Sequence, residues 1–300
     1  MLHARLLRYI DEVARRGSIR KAAAHLNVAS TAINRQIIAY EAEIGTQIFE
    51  RLPRSVRPTA AGEILLRHIR ATLKEHDKAQ SEIAALNGLQ AGTITIATFE
   101  NLAANLMPRV TQTFRRIHPR IQVRVFSVFR QQLAAGLASG EWDLALGYNI
   151  SDVPGSSVLH QFETRLGAVV TPDHALAAEG EVRLHECIHY PIIVGDPSMS
   201  IHGIVRDAFM QTNLPFQPQI VSSSVSYMKA LARDGEGVTF MTKIDIVDEA
   251  RRGELVYLPI LDRGVRMQPL SLIYRKNSAI GSSVSRFAEE VRVELEQQLA

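Results

Sequence analysis

Apolar residues in the first sixty positions recur at helical spacing and then stop. Leu2, Leu6, Ile10 and Val13 form one stripe that ends at Gly17. Ser18 can cap a second segment, "SIRKAAAHL", whose Ala22, Ala23 and Leu26 make a narrow face that lets another helix approach closely. After a short break at "NVAS", Ile33, Ile37, Tyr40 and Ile44 predict a third helix that stops at Gly45. Two short helices joined by a tight turn and packed on a preceding helix read as a helix-turn-helix. From Thr59, which can serve as a cap, one long helix runs to about Leu86. Along it Leu65, Ile69, Thr72, His76, Ala79, Ile83 and Leu86 alternate steps of four and three, the seam of a two-stranded coiled coil, with burial against the chain's own C-terminal body as the alternative. "NGLQAG" ends the helix and marks a domain boundary.

The remaining residues alternate short apolar runs with helical patterns. The strands expected are "TITIATF", "QVRVFSV", "DLALGY", "LGAVVT", "PIIVG", "GVTFMT" and "PLSLIY". Helices are expected at "NLAANLMPRVTQTFRRIH", "RQQLAAGLAS", "IVRDAFMQTN", "SYMKALARDG" and "SSVSRFAEEVRVELEQQL". Such alternation predicts an α/β body with largely parallel sheets.

Charge changes this picture at one end only. Residues 1–58 carry ten Lys and Arg against five acids, whereas the rest of the chain is close to neutral. A basic module on a neutral body points to a polyanion partner. On the third helix Thr31, Arg35 and Ile38 lie opposite the core stripe, with Asn34 on its flank. Arg can fork onto guanine and Asn onto adenine, and Thr or Ile methyls can meet the thymine methyl. The following "FERLPRSVRPT" spaces Arg51, Arg54 and Arg57 by three, which suits a wing lying on phosphates. No apolar run reaches the ~20 residues that span a bilayer, and the N-terminus lacks a signal-peptide core. A soluble, cytoplasmic protein is expected.

Catalytic and metal chemistry find little support. His185-Glu186-Cys187-Ile188-His189 spells H-E-x-x-H. That motif needs a helix long enough to put both histidines on one face, together with a third ligand. Here Pro191 and the strand-like "IIVG" follow at once, so no zinc site is expected. The single cysteine, Cys187, rules out an internal disulfide and has no resolving partner. It reads as an inert buried thiol. "SMSIHG" and "VSSSVS" are not G-x-S-x-G elbows. They read better as donors at helix N-termini, where an anion is favoured. Neither an enzyme nor a resident cofactor or metal is expected.

One long stretch carries a resemblance. "GSIRKAAAHLNVASTAINRQIIAYEAEIGTQIFERLPRSVRPTAAGEILL" resembles the N-terminal domain of LysR-type transcriptional regulators. The match runs through Ser-x-x-x-Ala-Ala-x-x-Leu, Arg-Gln-Ile, the following Glu and Gly, Phe-x-Arg and Thr-x-x-Gly. This chain departs from the usual pattern at Ser30, Thr31, Asn34, Ile38 and Tyr40, several of them base-reading positions. The resemblance implies a winged helix-turn-helix over 1–58 and a dimerising linker helix over 59–90. It also implies a two-lobed effector domain over 91–300, similar to periplasmic solute-binding proteins. "GEWDLALG" and "LARDGEGVTFM" echo that region, with Thr242 where Pro is common. Lobe I would be about 92–162 plus 268–300, and lobe II about 163–267. The implied partners are a pseudo-palindromic site on double-stranded DNA, bound by Ser30, Thr31, Asn34, Arg35, Ile38, Arg51, Arg54 and Arg57, and a small-molecule effector between the lobes. Assembly would be a homodimer, with a homotetramer left open. From the strand ends and helix starts, the effector would meet Thr98, Asn101, Arg130, Ser198, Ser200, His202 and Ser222. A carboxylate is the expected anchor, because helix N-termini attract anions.

Overall fold

The computed structural model describes residues 2–52, 55–86, 92–263, 265–276, 278 and 280–299, without the side chains of 2–4, 74, 78, 80–82 and 84–86. The chain divides into two compact units, one of residues 1–90 with 138–141 and one of 91–137 with 142–300.

The first unit contains α1 (Leu2–Arg16), α2 (Ile19–Leu26), α3 (Ser30–Ile44), β1 (Phe49–Leu52), β2 (Ser55–Pro58) and α4 (Ala60–Leu86). Ile10, Val13, Ala22, Ala23, Ile33 and Ile37 are buried together, so the small Ala face of α2 closes against α1 and α3. Asn27 takes a left-handed conformation (φ 53°) to end α2 and make the tight turn into α3. β1 and β2 form an antiparallel ribbon that pairs Glu50 with Arg57 and Arg51 with Val56. The Glu41 carboxylate anchors its base by accepting from the N–H groups of Ile48 (2.9 Å) and Phe49 (3.2 Å). Thr59 caps α4 by accepting from Gly62 N–H at 3.0 Å. A Cβ on Gly62 would stand 2.1 Å from the Ile48 carbonyl oxygen, so only glycine lets α4 lie against the ribbon.

The apolar stripe of α4 is divided. Leu65, Leu66, Ile69 and Leu73 pack into the core of their own unit, with Ile69 fully buried. Asp11 is held there by Arg15 and Arg70, both at 2.8 Å, which ties α1 to α4. The coiled-coil seam would give this half of the stripe to a partner chain, but the chain's own α1 covers it. Further along, Ile83 is exposed.

The second unit begins with β3 (Gly92–Thr98), α5 (Glu100–Asn105), α6 (Met107–Ile117), β4 (Ile121–Ser127), α7 (Arg130–Ser139), β5 (Leu144–Tyr148), β6 (Ser156–Thr164) and β7 (Leu166–Val170). It continues with α8 (Leu184–Cys187), β8 (Ile192–Gly195), α9 (Ser200–Gln211), β9 (Ile220–Ser222), α10 (Val225–Arg233) and β10 (Val238–Thr242). After a 3-10 turn at Lys243–Ile246 come α11 (Val247–Arg251), β11 (Val256–Pro259), β12 (Gln268–Arg275) and α12 (Ser282–Leu299).

Two five-stranded sheets result, ordered β4-β3-β5-β12-β6 in lobe I and β11-β7-β10-β8-β9 in lobe II. Each is buried on both faces. In lobe I, Ile94, Ile96, Leu144 and Leu146 face α6 and α12, while Ala97 and Ala145 face Leu133, Leu137 and Trp142. The expectation of largely parallel sheets is corrected. β12 pairs antiparallel with both β5 and β6, and β7 pairs antiparallel with both β10 and β11. The reason is topological, since the chain crosses between lobes twice. The crossings leave β6 at Thr164 and enter β12 at Gln268, which pair with each other. The expected helix over 101–118 is two helices broken at Leu106, where Pro108 opens the second. Among the described residues, no helix is long and apolar enough to cross a membrane.

Candidate functional site

Two surfaces concentrate polar chemistry. On the first unit, burying Ile33 and Ile37 turns Thr31, Arg35 and Ile38 outward, and all three are exposed. Ser30 opens α3 and is half-buried. No side chain caps that end of the helix, whose N-cap residue is Ala29, so its first N–H groups are placed to take a phosphate. Asn34 is half-buried, and its Oδ1 has no hydrogen-bond partner among the described residues. Arg51 and Arg57 extend from the ribbon into solvent; Arg54 lies outside the described residues.

The second surface is a cavity of about 200 Å³ between the lobes, at the C-terminal ends of the parallel strands. Most of its wall is apolar, with Phe99, Val128 and Phe129 from lobe I and Met199, Ile201, Ile204, Val225, Met228 and Phe240 from lobe II. Polar groups enter at the helix starts. Asn101, Arg130, Ser198 and Ser200 line the cavity. Arg130 donates to the Asn149 carbonyl and, at 2.7 Å, to Asp152. Ser198 donates its hydroxyl to Asp196 at 2.6 Å. Ser200 and Ile201 begin α9, which no side chain caps, so its first N–H groups open on the cavity.

Three expected residues are not in the cavity wall. Thr98 is fully buried and donates to the Leu146 carbonyl at 2.9 Å, because strand alternation puts it on the core face with Ile94 and Ile96. His202 turns back to Gly195, with Nδ1 2.8 Å from that carbonyl, and sets its ring edge-on to Phe216. Ser222 accepts from Ser224 N–H at 3.1 Å, and Ser223 takes the place in the wall.

What joins the lobes is a polar network. Asp245, fully buried, accepts from Thr242 N–H (2.9 Å) and hydroxyl (3.0 Å), Tyr148 hydroxyl (3.0 Å) and Asn101 Nδ2 (2.5 Å). Burial pushes the Asp245 carboxyl above the usual range while these donors pull it down. Burial, and then the neighbouring Asp245, push the Tyr148 phenol well above 10, so Tyr148 acts as a neutral donor. Beneath lies Lys229, buried, donating to Glu249 (2.6 Å), the Asp245 carbonyl (3.1 Å) and Asn105 of lobe I (3.2 Å). Glu100 reaches from lobe I to the start of α10, where its carboxylate accepts from Val225 N–H at 3.2 Å. Of these groups, Asp245 had a sequence signal: Thr242-x-x-Asp245 is a capping pattern. Thr242 is therefore a cap and, with its hydroxyl 2.8 Å from that of Tyr148, a link between lobes.

The H-E-x-x-H segment is built otherwise. α8 ends at Cys187, so His189 lies beyond it, and Glu186 accepts from Arg183 N–H at 2.6 Å as a helix cap. Cys187 is buried, and burial pushes its thiol to about 12. Among the described residues no three His, Cys, Asp or Glu gather as a metal site requires.

Residues 4–63 match the bacterial regulatory helix-turn-helix proteins of the lysR family, and residues 87–296 match the LysR substrate binding domain. The chain belongs to the LysR family. Members of this family are transcription regulators rather than enzymes. A probable RuBisCO transcriptional regulator of Emiliania huxleyi is 23% identical over 291 residues, covering 95% of this chain and 92% of that one. Among solved structures, a full-length OxyR variant from Pseudomonas aeruginosa superposes with a TM-score of 0.76 at 19% identity, covering 98% of this chain and 94% of that one. The effector binding domain of QuiR, solved in complex with shikimate, superposes with a TM-score of 0.56 at 20% identity, covering 69% of this chain and 98% of that one. At these identities the two structures establish the shared fold of this LysR-family chain.

Proposed function

We propose that this LysR-family protein is a cytoplasmic regulator whose hold on double-stranded DNA is set by a small carboxylate-bearing effector bound between its lobes. The cavity carries this reading. It is apolar along most of its wall and open at the start of α9, where Ser200 and Ile201 can offer N–H donors to an anion. Ser198, Asn101 and Arg130 surround that place. On the first unit, Arg35, Ile38, Thr31 and Asn34 would read base edges, with Ser30, Arg51, Arg54 and Arg57 on phosphates. Two copies would place two recognition helices on a pseudo-palindrome about one helical turn apart. Ile83, exposed in the outer half of α4, marks the surface on which they would pair.

Calorimetric titration of the full chain with monocarboxylic, aromatic and amino acids tests the cleft. Ser200→Pro keeps a residue suited to the first helical position but removes its N–H. An acid bound as proposed should lose roughly three- to tenfold in affinity, the worth of one hydrogen bond. Binders untouched by Ser200→Pro and Arg130→Ala would place the effector site elsewhere.

A further inference from the structure

We infer that the effector carries a protonated amine beside its acidic group, and that Glu100 receives this amine, which makes the effector an amino acid with an apolar side chain. This rests on the cleft being the effector site as proposed above. What carries it is the distribution of charge around the cavity. Two lobe II helices start there. The start of α9 has no side-chain cap. The start of α10 is already filled: Ser224 accepts from Tyr227 N–H at 3.4 Å, and the Glu100 carboxylate crosses from lobe I. Glu100 Oε1 accepts from the Ser224 hydroxyl (3.4 Å) and the Ser226 hydroxyl (3.3 Å), and Oε2 accepts from Val225 N–H (3.2 Å).

Glu100, Asp245 and Arg130 are the charged residues of the cavity wall. Arg130 is matched by Asp152, and Asp245 accepts from four protein donors. Two carboxylates against one cation that is already matched leave the wall an excess of negative charge, and because the acceptor directions of Asp245 are all taken, Glu100 is the carboxylate left to meet a ligand. A carboxylate offers about four acceptor directions, and three of those on Glu100 are taken, which leaves Oε2 able to accept from a ligand.

An effector that brought only a carboxylate would set like charge against Glu100 among Phe99, Phe129, Met199 and Ile201. At a separation of about 6 Å and an effective dielectric of about 20, that repulsion is worth on the order of a hundredfold in affinity. An ammonium on the same molecule reverses the sign and adds a charge-assisted bond to Oε2. A cavity of about 200 Å³ with these walls suits a side chain of the leucine or phenylalanine kind.

The test uses two sets of three probes that share a skeleton, titrated calorimetrically into the full chain. One set is L-leucine, 4-methylpentanoate and 3-methylbutylamine, and the other is L-phenylalanine, 3-phenylpropanoate and 2-phenylethylamine. In at least one set the amino acid should bind about tenfold or more tightly than its deaminated acid, and Glu100→Gln should remove most of that ratio. An acid that binds as tightly as its amino acid overturns the inference and leaves the cleft reading standing, as does a ratio that survives Glu100→Gln. Silence from all six probes also overturns it, and the wider acid screen with Ser200→Pro then decides the cleft reading alone. Because the wild-type titrations carry the first comparison, a Glu100→Gln protein that fails to fold leaves that comparison decisive.

Discussion

The two candidate surfaces are built on opposite plans. The surface proposed to read DNA is one face of one helix. The apolar side of α3 buries Ile33 and Ile37, and that alone turns Thr31, Arg35 and Ile38 outward. The cleft is an assembly of ends. β3, β5 and β10 finish there, α5, α7, α9 and α10 start there, and its polar groups hold one another across the lobes. A face-borne site can lose a side chain and keep its fold. An end-borne site couples binding to stability, because its residues also satisfy each other.

The sharpest way to break the comparison is at Lys229. Lys229→Ala takes the 2.6 Å cationic partner from the half-buried Glu249, which keeps only the exposed Arg252 at 4.0 Å, and the donor from the buried Asn105, and should cost about 3 kcal/mol of unfolding free energy. Chemical denaturation followed by tryptophan fluorescence reads this, since Trp142 is the only tryptophan and lies in the second unit. A loss under about 1 kcal/mol would mean the network adds little to stability.

Next is α4, whose halves should respond differently. Ile69→Asp puts a charge in the core of the first unit and should destabilise that unit by about 3 kcal/mol or more. Ile83→Asp changes an exposed residue and should lower the mass seen by light scattering, with a circular-dichroism melt that loses only the concentration-dependent share of pairing and so falls far less than that of Ile69→Asp. Equal melts for both variants would contradict the division of the stripe.

The DNA face should show the reverse of Lys229. Arg35→Ala should weaken binding to a selected operator by about 1–3 kcal/mol with no loss of stability. Arg57→Ala should weaken operator and random DNA alike and flatten the salt dependence. Binding by Arg35→Ala that still discriminates fully among operator sequences would remove α3 from base reading.

A smaller effect comes from Asp245. Its carboxyl is raised in the folded chain by burial. A raised folded-state value contributes stability below the ordinary carboxyl range, and that contribution is lost as pH rises through the raised value. Asp245→Asn cannot titrate. Its unfolding free energy should therefore gain on wild type as pH rises through the mildly acid range just above ordinary Asp values. A parallel pair of pH profiles would show that the raised value has no weight.

The same contrast explains what was legible in the sequence. Arg35 and Ile38 could be placed from periodicity, because one helix carries both the stripe and the face. Seven core strands were legible as apolar runs. β6, β9 and β11 were not, being short or mixed in pattern, and the antiparallel pairings depend on crossings between lobes that no local pattern records. In the cleft, Asn101, Arg130, Ser198 and Ser200 were reached because helix starts can be guessed. Thr98 was misplaced although strand alternation with Ile94 and Ile96 points it into the core. Tyr148 was beyond reach, since it meets Asp245 across 97 positions of chain.

The most direct test of a cleft coupled to DNA is reciprocal. A cleft ligand found by the calorimetric screen is titrated into the full chain, free and saturated with its selected operator. If the ligand sets the hold on DNA, its two affinities must differ, by about fivefold or more for ordinary coupling strengths. The same factor must appear in operator affinity measured with and without ligand. Equal ligand affinities in the free and operator-bound protein would contradict the account.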